Sequence, residues 1–474
     1  MPNTLARSFV VVGALLSVLG PSAALAQGTS EAYLAFLMAR RLEAEGDNSG
    51  ALAALKRAAD MDPKSAEVRA EMAGFHLRRN ERPQAEAEAK AALAIDADNA
   101  GANRTLGAIN AAAYESSLGK APAAQSATYL RDAIMYLERA AAQSSVTADV
   151  RLFDTLGRLY LQNGDTRKAI DAFTKVVSQN PDSAEGRLWL AQSYAANKDL
   201  KSAIETLDEI VEYAPRVAAI LGQYQEEAGL LADAVESYTL ALSVRTRDRE
   251  VKVRRIVVLL DLKEYGRAAG FAAEARKQHP EDVRFVRLQA RALFDGGDRT
   301  GAIALLEQVT KASPKDTGTL YALADIYVDA GRGNDAERTL RQIIASEPAN
   351  ANALNYLGYL LALRGERLDE AVSLVQQALK AEPENGAYLD SLGWAYFRRG
   401  DLDEAEKYLA AAAARLPENS EVQDHLGDLF ARRGRMAEAV DAWTRALKGD
   451  SQDVDKATIE KKISNAKGKM QNAK

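Results

Sequence analysis

VRLFDTLGRLYLQNGDTRKAIDAFTKVVSQNPDS, residues 150–183, contains one complete structural unit. Phe153, Leu156, Leu159 and Tyr160 recur at helical spacing and make one apolar stripe. Ile170, Phe173, Val176 and Val177 make a second. Asn163-Gly164-Asp165 separates the two stripes, and glycine and asparagine tolerate the left-handed conformation that ends a helix. Pro181 stops the second helix, because it lacks an N–H for the preceding turn. Asp182-Ser183 follows, and side-chain oxygens of this kind cap the next helix. The stretch predicts an antiparallel helix pair.

Ala169 of this unit recurs through the chain as Ala51, Ala85, Ala133, Ala203, Ala234, Ala268, Ala302, Ala336, Ala371, Ala405 and Ala439. Most intervals are 34 residues; one is 31, one is 35 and two are longer. Twelve residues before these alanines stands a second small residue: Ala39, Ala73, Gly157, Ala191, Gly222, Ala290, Ala324, Gly393 and Gly427. Gly358 is one residue further from its alanine, and Gly107 is in phase if residues are inserted before Ala133. Only Ile256 breaks the rule. Pro63, Pro181, Pro215, Pro280, Pro314, Pro348, Pro383 and Pro417 fall twelve residues after the alanines. Small residues on facing helices let the two backbones approach closely. A fixed period over a whole chain means one unit stacked on itself.

Leu156, Gly157, Tyr160, Ala169, Phe173 and Pro181 match the pattern of the tetratricopeptide repeat (TPR) family, with Phe153 in the place of the family's Trp. Leu392, Gly393, Tyr396, Ala405 and Pro417 repeat the match, with Leu409 in the Phe position. The resemblance implies an all-α fold: a right-handed α-α superhelix, or solenoid, of about twelve helix pairs over residues 27–453. The segment Asn352 to Leu447 also looks like the C-terminal repeats of exported bacterial TPR proteins. Some of those are outer-membrane lipoproteins that bind a carboxyl-terminal processing protease, but the lipid-bearing cysteine is absent here.

The ends do not follow the period. Arg7, the apolar run Phe9 to Leu19 and Ala24-Leu25-Ala26 before Gln27 predict a secretory signal peptide over residues 1–26, cleaved after Ala26. An uncleaved anchor is the alternative. No later stretch reaches transmembrane length. The chain has no cysteine, so it has neither disulfides nor thiolate ligands. These features predict a periplasmic or secreted protein. A net charge of -6 gives no electrostatic case for nucleic acid. Residues 454–474 are expected to form a capping helix whose basic tail frays from Lys467.

Two places are irregular. The third repeat carries an insertion whose composition predicts a loop near residues 114–128. At the seventh repeat, Ile256 is expected to push its helix pair apart and make a joint near 246–256; compensation by Ala272 and Ala275 is the rival expectation.

Reaction chemistry is not encoded in any motif. His76, His279 and His425 fall in different repeats at different phases. There is no His-Glu-x-x-His, no phosphate-binding Gly-x-x-x-x-Gly-Lys loop and no Gly-x-Ser-x-Gly elbow. The chain is therefore expected to be no enzyme and to need no cofactor or metal. The TPR resemblance implies instead that the second, fifth, ninth and twelfth positions of each first helix face a ligand. In the last three repeats these include Asn352, Asn355 and Tyr359, then Asp390, Trp394 and Phe397, then Asp424 and Asp428 with His425 adjacent. Trp394 beside Tyr359 and Phe397 is expected to make the large apolar contact of a protein-binding site. Packing between successive helices is the other possibility. A second, charged set comprises Arg254, Arg284, Arg287 and Arg291, followed by Asp325 and Asp329; it either orients a charged partner or is a solvated face. The expected function is a protein-binding scaffold of the cell envelope that holds a protein or peptide partner in its groove. The alternative is a scaffold of envelope polysaccharide synthesis or export.

Overall fold

The computed structural model describes residues 30–143, 149–449 and 454–472. The expected signal segment, residues 1–26, lies outside them. The described residues form helices and turns, with no strand among them. The first three pairs are α1 (Ser30–Ala44) with α2 (Asn48–Met61), α3 (Ala66–Arg78) with α4 (Arg82–Ile95), and α5 (Ala100–Ser117) with α6 (Ala123–Ala142). Next come α7 (Val150–Asn163) with α8 (Thr166–Gln179), α9 (Ala184–Ala196) with α10 (Leu200–Asp208), and α11 (Ala218–Glu227) with α12 (Leu231–Val244). Pairs seven to nine are α13 (Arg249–Asp261) with α14 (Tyr265–Gln278), α15 (Val283–Asp295) with α16 (Arg299–Ala312), and α17 (Thr317–Asp329) with α18 (Gly333–Ser346). The last three are α19 (Ala351–Arg364) with α20 (Leu368–Ala381), α21 (Gly386–Arg399) with α22 (Leu402–Arg415), and α23 (Ser420–Arg432) with α24 (Met436–Lys448). A final helix, α25 (Lys456–Asn472), stands alone. Pairs one to six make one compact unit that ends at Thr246, and pairs seven to twelve with α25 make a second from Arg247.

The periodic alanines hold the pairs together. Every one of the twelve is fully buried, at 0% exposure. Four residues after the alanine, one turn further along the second helix, stands the side chain that meets the small residue of the first helix. A Cβ on Gly107 would lie 2.5 Å from Leu137, on Gly157 2.6 Å from Phe173, and on Gly222 2.8 Å from Tyr238. On Gly358 it would lie 2.5 Å from Val375, and on Gly393 2.7 Å from Leu409. Glycine is required at these five because the opposing side chain occupies the space a Cβ would take. Deleting a buried side chain of this size costs about 2–5 kcal/mol.

Ile256 reverses the arrangement. Its fourth-after position carries Ala272 in place of a large side chain, and both are buried. Relative to the glycine-bearing pairs, the large and the small side chain have changed places between the first and second helix.

Most first helices start where the sequence puts a capping side chain; α11, preceded by Val217, does not. Ser65, Asn99, Ser183, Asp248, Asn350 and Asn419 accept a hydrogen bond from the backbone N–H three residues on. The turns inside ten of the twelve pairs share one geometry. Five residues before the alanine the backbone is left-handed, at Gly46, Gly164, Gly229, Gly297, Gly331, Gly400 and Gly434. Asn80, Lys198 and Lys263 take the same conformation without being glycine. The single interval of 31 arises because α11 has 10 residues where its neighbours α9 and α13 have 13; a 3-10 turn, Pro215–Val217, replaces its first turn.

Two expectations are corrected. The insertion of the third repeat is not a loop over 114–128. It lengthens both helices, α5 to 18 residues and α6 to 20, and leaves a turn at 118–122. Tyr114 is buried, and its hydroxyl donates to Gln162 on α7 at 3.3 Å. Nor does the C-terminal tail fray at Lys467: α25 is helical to Asn472, with Ile459 and Ala466 buried against the twelfth pair.

Candidate functional site

The residues expected to bind a partner lie on α19, α21 and α23, three successive first helices of the second unit. Their inner face is the one turned away from the second helices α20, α22 and α24. On α21 every residue from Tyr388 to Phe397 is buried, so this helix is covered on its inner side as well. The cover comes from its neighbours. The Tyr359 hydroxyl on α19 donates to Glu421 Oε1 on α23, a hydrogen bond that spans 62 residues of chain. Two helices that flank a third can meet only across its inner face, so this bond closes over α21.

Beneath it lies an aromatic and carboxylate cluster. The Trp394 ring stacks on His425 with centroids 4.0 Å apart and on Phe397 at 4.9 Å. Tyr359 tilts against His425 at 6.3 Å. His425 Nδ1 lies 2.9 Å from Asp390 Oδ2 and 3.1 Å from Oδ1, and both side chains are only 7% exposed. Burial by itself would hold this imidazole neutral; the Asp390 carboxylate, with Glu421 and Asp424 behind it, outweighs burial and raises its pKa above the usual 6.5. Burial, then Glu421, pushes the Tyr359 hydroxyl well above the ordinary tyrosine range.

Trp394 therefore does not stand open in the groove as expected. It packs between successive helices, because α19 and α23 come close enough to join over α21. Phe397 is buried with it. Among the buried polar atoms on these helices that lack a hydrogen-bond partner are the donor Trp394 Nε1 on α21 and the acceptor Asn355 Oδ1 on α19. Asn352 is exposed, and its Oδ1 accepts from the Tyr388 hydroxyl at 2.6 Å.

Asp424 and Asp428 are likewise not free to take a partner's cation. Lys462 on α25 reaches both, at 2.9 Å and 2.7 Å. Asp428 Oδ1 also accepts from Trp443 Nε1 at 3.1 Å. Burial raises the Asp424 pKa, and the Asp428 carboxylate adds to that, against the pull of Lys462. Glu421 and Lys462 were not singled out in the sequence. Glu421 is at the second position of its helix, the same phase as Asn352. Lys462 lies three residues after Ile459, and that spacing sets it on the docked face of α25.

The mid-chain charges are joined to one another. Arg284 on α15 bonds Glu250 on α13 at 2.8 Å, and Arg291 on α15 bonds Asp329 on α17 at 2.8 Å. Asp325 accepts a hydrogen bond from Tyr356. Arg254 and Arg287 are exposed on the same face. Basic and acidic residues thus stitch successive first helices together and do not form two separate stripes.

Two family models, each described as tetratricopeptide repeat, match most of the described chain. One matches residues 42–109, 160–224 and 293–357; the other matches residues 253–317, 360–420 and 391–454. The chain belongs to the tetratricopeptide repeat family. A TPR repeat-containing protein of Pseudomonas aeruginosa is 32% identical over 183 residues, which covers 38% of this chain and 31% of the relative. Human tetratricopeptide repeat protein 21B is 26% identical over 267 residues, covering 50% of this chain and 20% of that one. This TPR chain thus spans less than a third of either relative. The crystal structure of yeast Tom70 aligns with a TM-score of 0.47 at 12% identity, over 93% of this chain and 96% of that one. TPR proteins generally mediate protein–protein interactions and are typically not enzymes. Among the described residues no helix is long and apolar enough to cross a membrane.

Proposed function

We propose that this TPR protein is a non-catalytic scaffold of the bacterial cell envelope that holds a polypeptide on the inner face of α19, α21 and α23. The envelope assignment rests on the signal-like segment Arg7 to Ala26. The binding assignment rests on one observation: a lone donor, Trp394 Nε1, and a lone acceptor, Asn355 Oδ1, on adjacent first helices. Buried polar atoms normally have partners, and leaving one without costs about 1–3 kcal/mol. A peptide group carries the complement of both, one C=O and one N–H. The Tyr359–Glu421 bond lies over them, so a bound segment replaces that bond as it enters.

The partner is first identified by affinity capture from envelope extract with residues 27–474, and its binding segment is then titrated. Trp394→Phe and Asn355→Ala each remove one lone group and are expected to weaken binding about five-fold or more, as the loss of one hydrogen bond does. Tyr359→Phe removes the competing bond and is expected to tighten binding. Affinity unchanged by all three variants rules out this face.

A further inference from the structure

Exposed large apolar side chains are scattered over most of the described chain, and no element but one carries more than two. The exception is α1, where Tyr33, Leu34, Leu37 and Met38 are 44%, 63%, 44% and 52% exposed. The helix packs on α2 through its opposite side, where Ala32, Ala35 and Ala39 are buried. Spacings of one, four and five residues put the four large side chains in a single stripe. At the other end of the chain, α25 covers the twelfth pair with Ile459 and Ala466. No element among the described residues does the same for the first pair. A contiguous apolar stripe of this kind marks an interaction surface.

We propose that the stripe on α1 is covered by the same stripe of a second copy of this chain, the two helices packing antiparallel about a two-fold axis. The position of the axis follows from the residues. Closed two-fold interfaces must be self-complementary, so each residue meets a mate at equal distance on the other side of the axis. With the axis level with the midpoint between Ala35 and Phe36, Leu34 meets Leu37 of the second copy and Tyr33 meets its Met38. The same register brings Glu31 to Arg40 of the second copy. Glu31 and Arg40 are both exposed, and among the described residues neither forms an ion pair within its own chain. Every large exposed residue of the stripe and both flanking charges are thereby matched, each twice. Helices that lie on a lipid surface are rich in lysine and arginine along the polar face. Here an acid stands at one end and a base at the other, an arrangement that antiparallel self-pairing makes complementary.

Sedimentation equilibrium of residues 27–474, and of the intact chain, tests the pairing. The expected result is a mass twice that of one chain, dissociating on dilution. Leu34→Glu is expected to give a monomer with unchanged circular dichroism, because Leu34 is the most exposed of the four. Glu31→Arg and Arg40→Glu each place like charges opposite one another and are expected to weaken the dimer about ten-fold in Kd. The double variant Glu31→Arg/Arg40→Glu restores opposite charges and is expected to recover the wild-type Kd. A monomer at every concentration overturns the proposal. So does a dimer indifferent to Leu34→Glu, or a double variant no tighter than the single ones. A monomer whose binding to phosphatidylglycerol vesicles is lost in Leu34→Glu assigns the stripe to lipid and also overturns it.

Discussion

An imidazole sealed against a carboxylate holds its proton more tightly than one in water, and His425 is sealed in this way against Asp390. His279 is in the opposite position. Burial is the first cause that lowers its pKa, and the neighbouring cations Lys252 and Arg249 lower it further. The two sites therefore respond to pH with opposite sign. For His425 the folded pKa lies above 6.5, so its contribution is complete below 6.5 and is lost as pH rises through the raised value. For His279 the folded pKa lies below 6.5, so stability is lost as pH falls from 6.5 through the lowered value. The chain has three histidines, so imidazole proton shifts followed by NMR can resolve each one. His425 is expected to titrate above 6.5 and His279 below, and Asp390→Asn is expected to bring His425 down. A His425 midpoint below that of His279 contradicts the cluster described here. The sequence showed which phase Asp390, Trp394 and Asp424 occupy, because the alanine period fixes it. It did not show that Tyr359 and Glu421 meet over them. That contact depends on how closely α19 approaches α23, and no local pattern of residues records that distance.

Helix pairs depend on turns whose geometry is repeated more faithfully than their sequence. Lys198 and Lys263 adopt the left-handed backbone that glycine takes in seven equivalent turns, with φ of 64° and 60°. A residue with a Cβ carries a cost of about 1–2 kcal/mol there. Lys263→Gly is thus expected to stabilise the chain by about 1 kcal/mol, read as a higher urea midpoint with an unchanged slope. A lower midpoint would show that the lysine side chain contributes more than its backbone costs. The twelve alanines, the eight prolines and the caps were legible because each answers a local requirement: a close approach, a stop or an unpaired N–H. The third-repeat insertion was not. Ser116 to Pro122 has the composition of a loop, but alanine is the strongest helix former, and Ala111 to Ala113 and Ala123-Ala124 carry the helices up to a turn of five residues.

Stacked repeats gain stability from each pair and from its contacts with the neighbouring pairs, so damage in one place spreads only as far as those contacts reach. Gly427 offers a way to measure that reach. A Cβ there would lie within 2.5 Å of the Trp443 indole nitrogen, which is bonded to Asp428, which in turn is paired with Lys462 on α25. Gly427→Ala is expected to cost about 1–3 kcal/mol by overpacking. Amide hydrogen exchange should quicken in pairs eleven and twelve and in α25, with the first unit, up to Thr246, unchanged. Uniform quickening over the whole chain would mean that the two units unfold as one. The exchanged sizes of Ile256 and Ala272 bear on how such an array changes by recombination. A crossover inside the turn between α13 and α14 would join Ile256 to a second helix bearing Leu, Phe or Tyr at the opposing position, or join a glycine-bearing first helix to Ala272. The first product is overfilled and the second hollow. Breakpoints between pairs keep both partners together, so whole pairs can be gained or lost here, whereas half of the seventh cannot be traded for half of another.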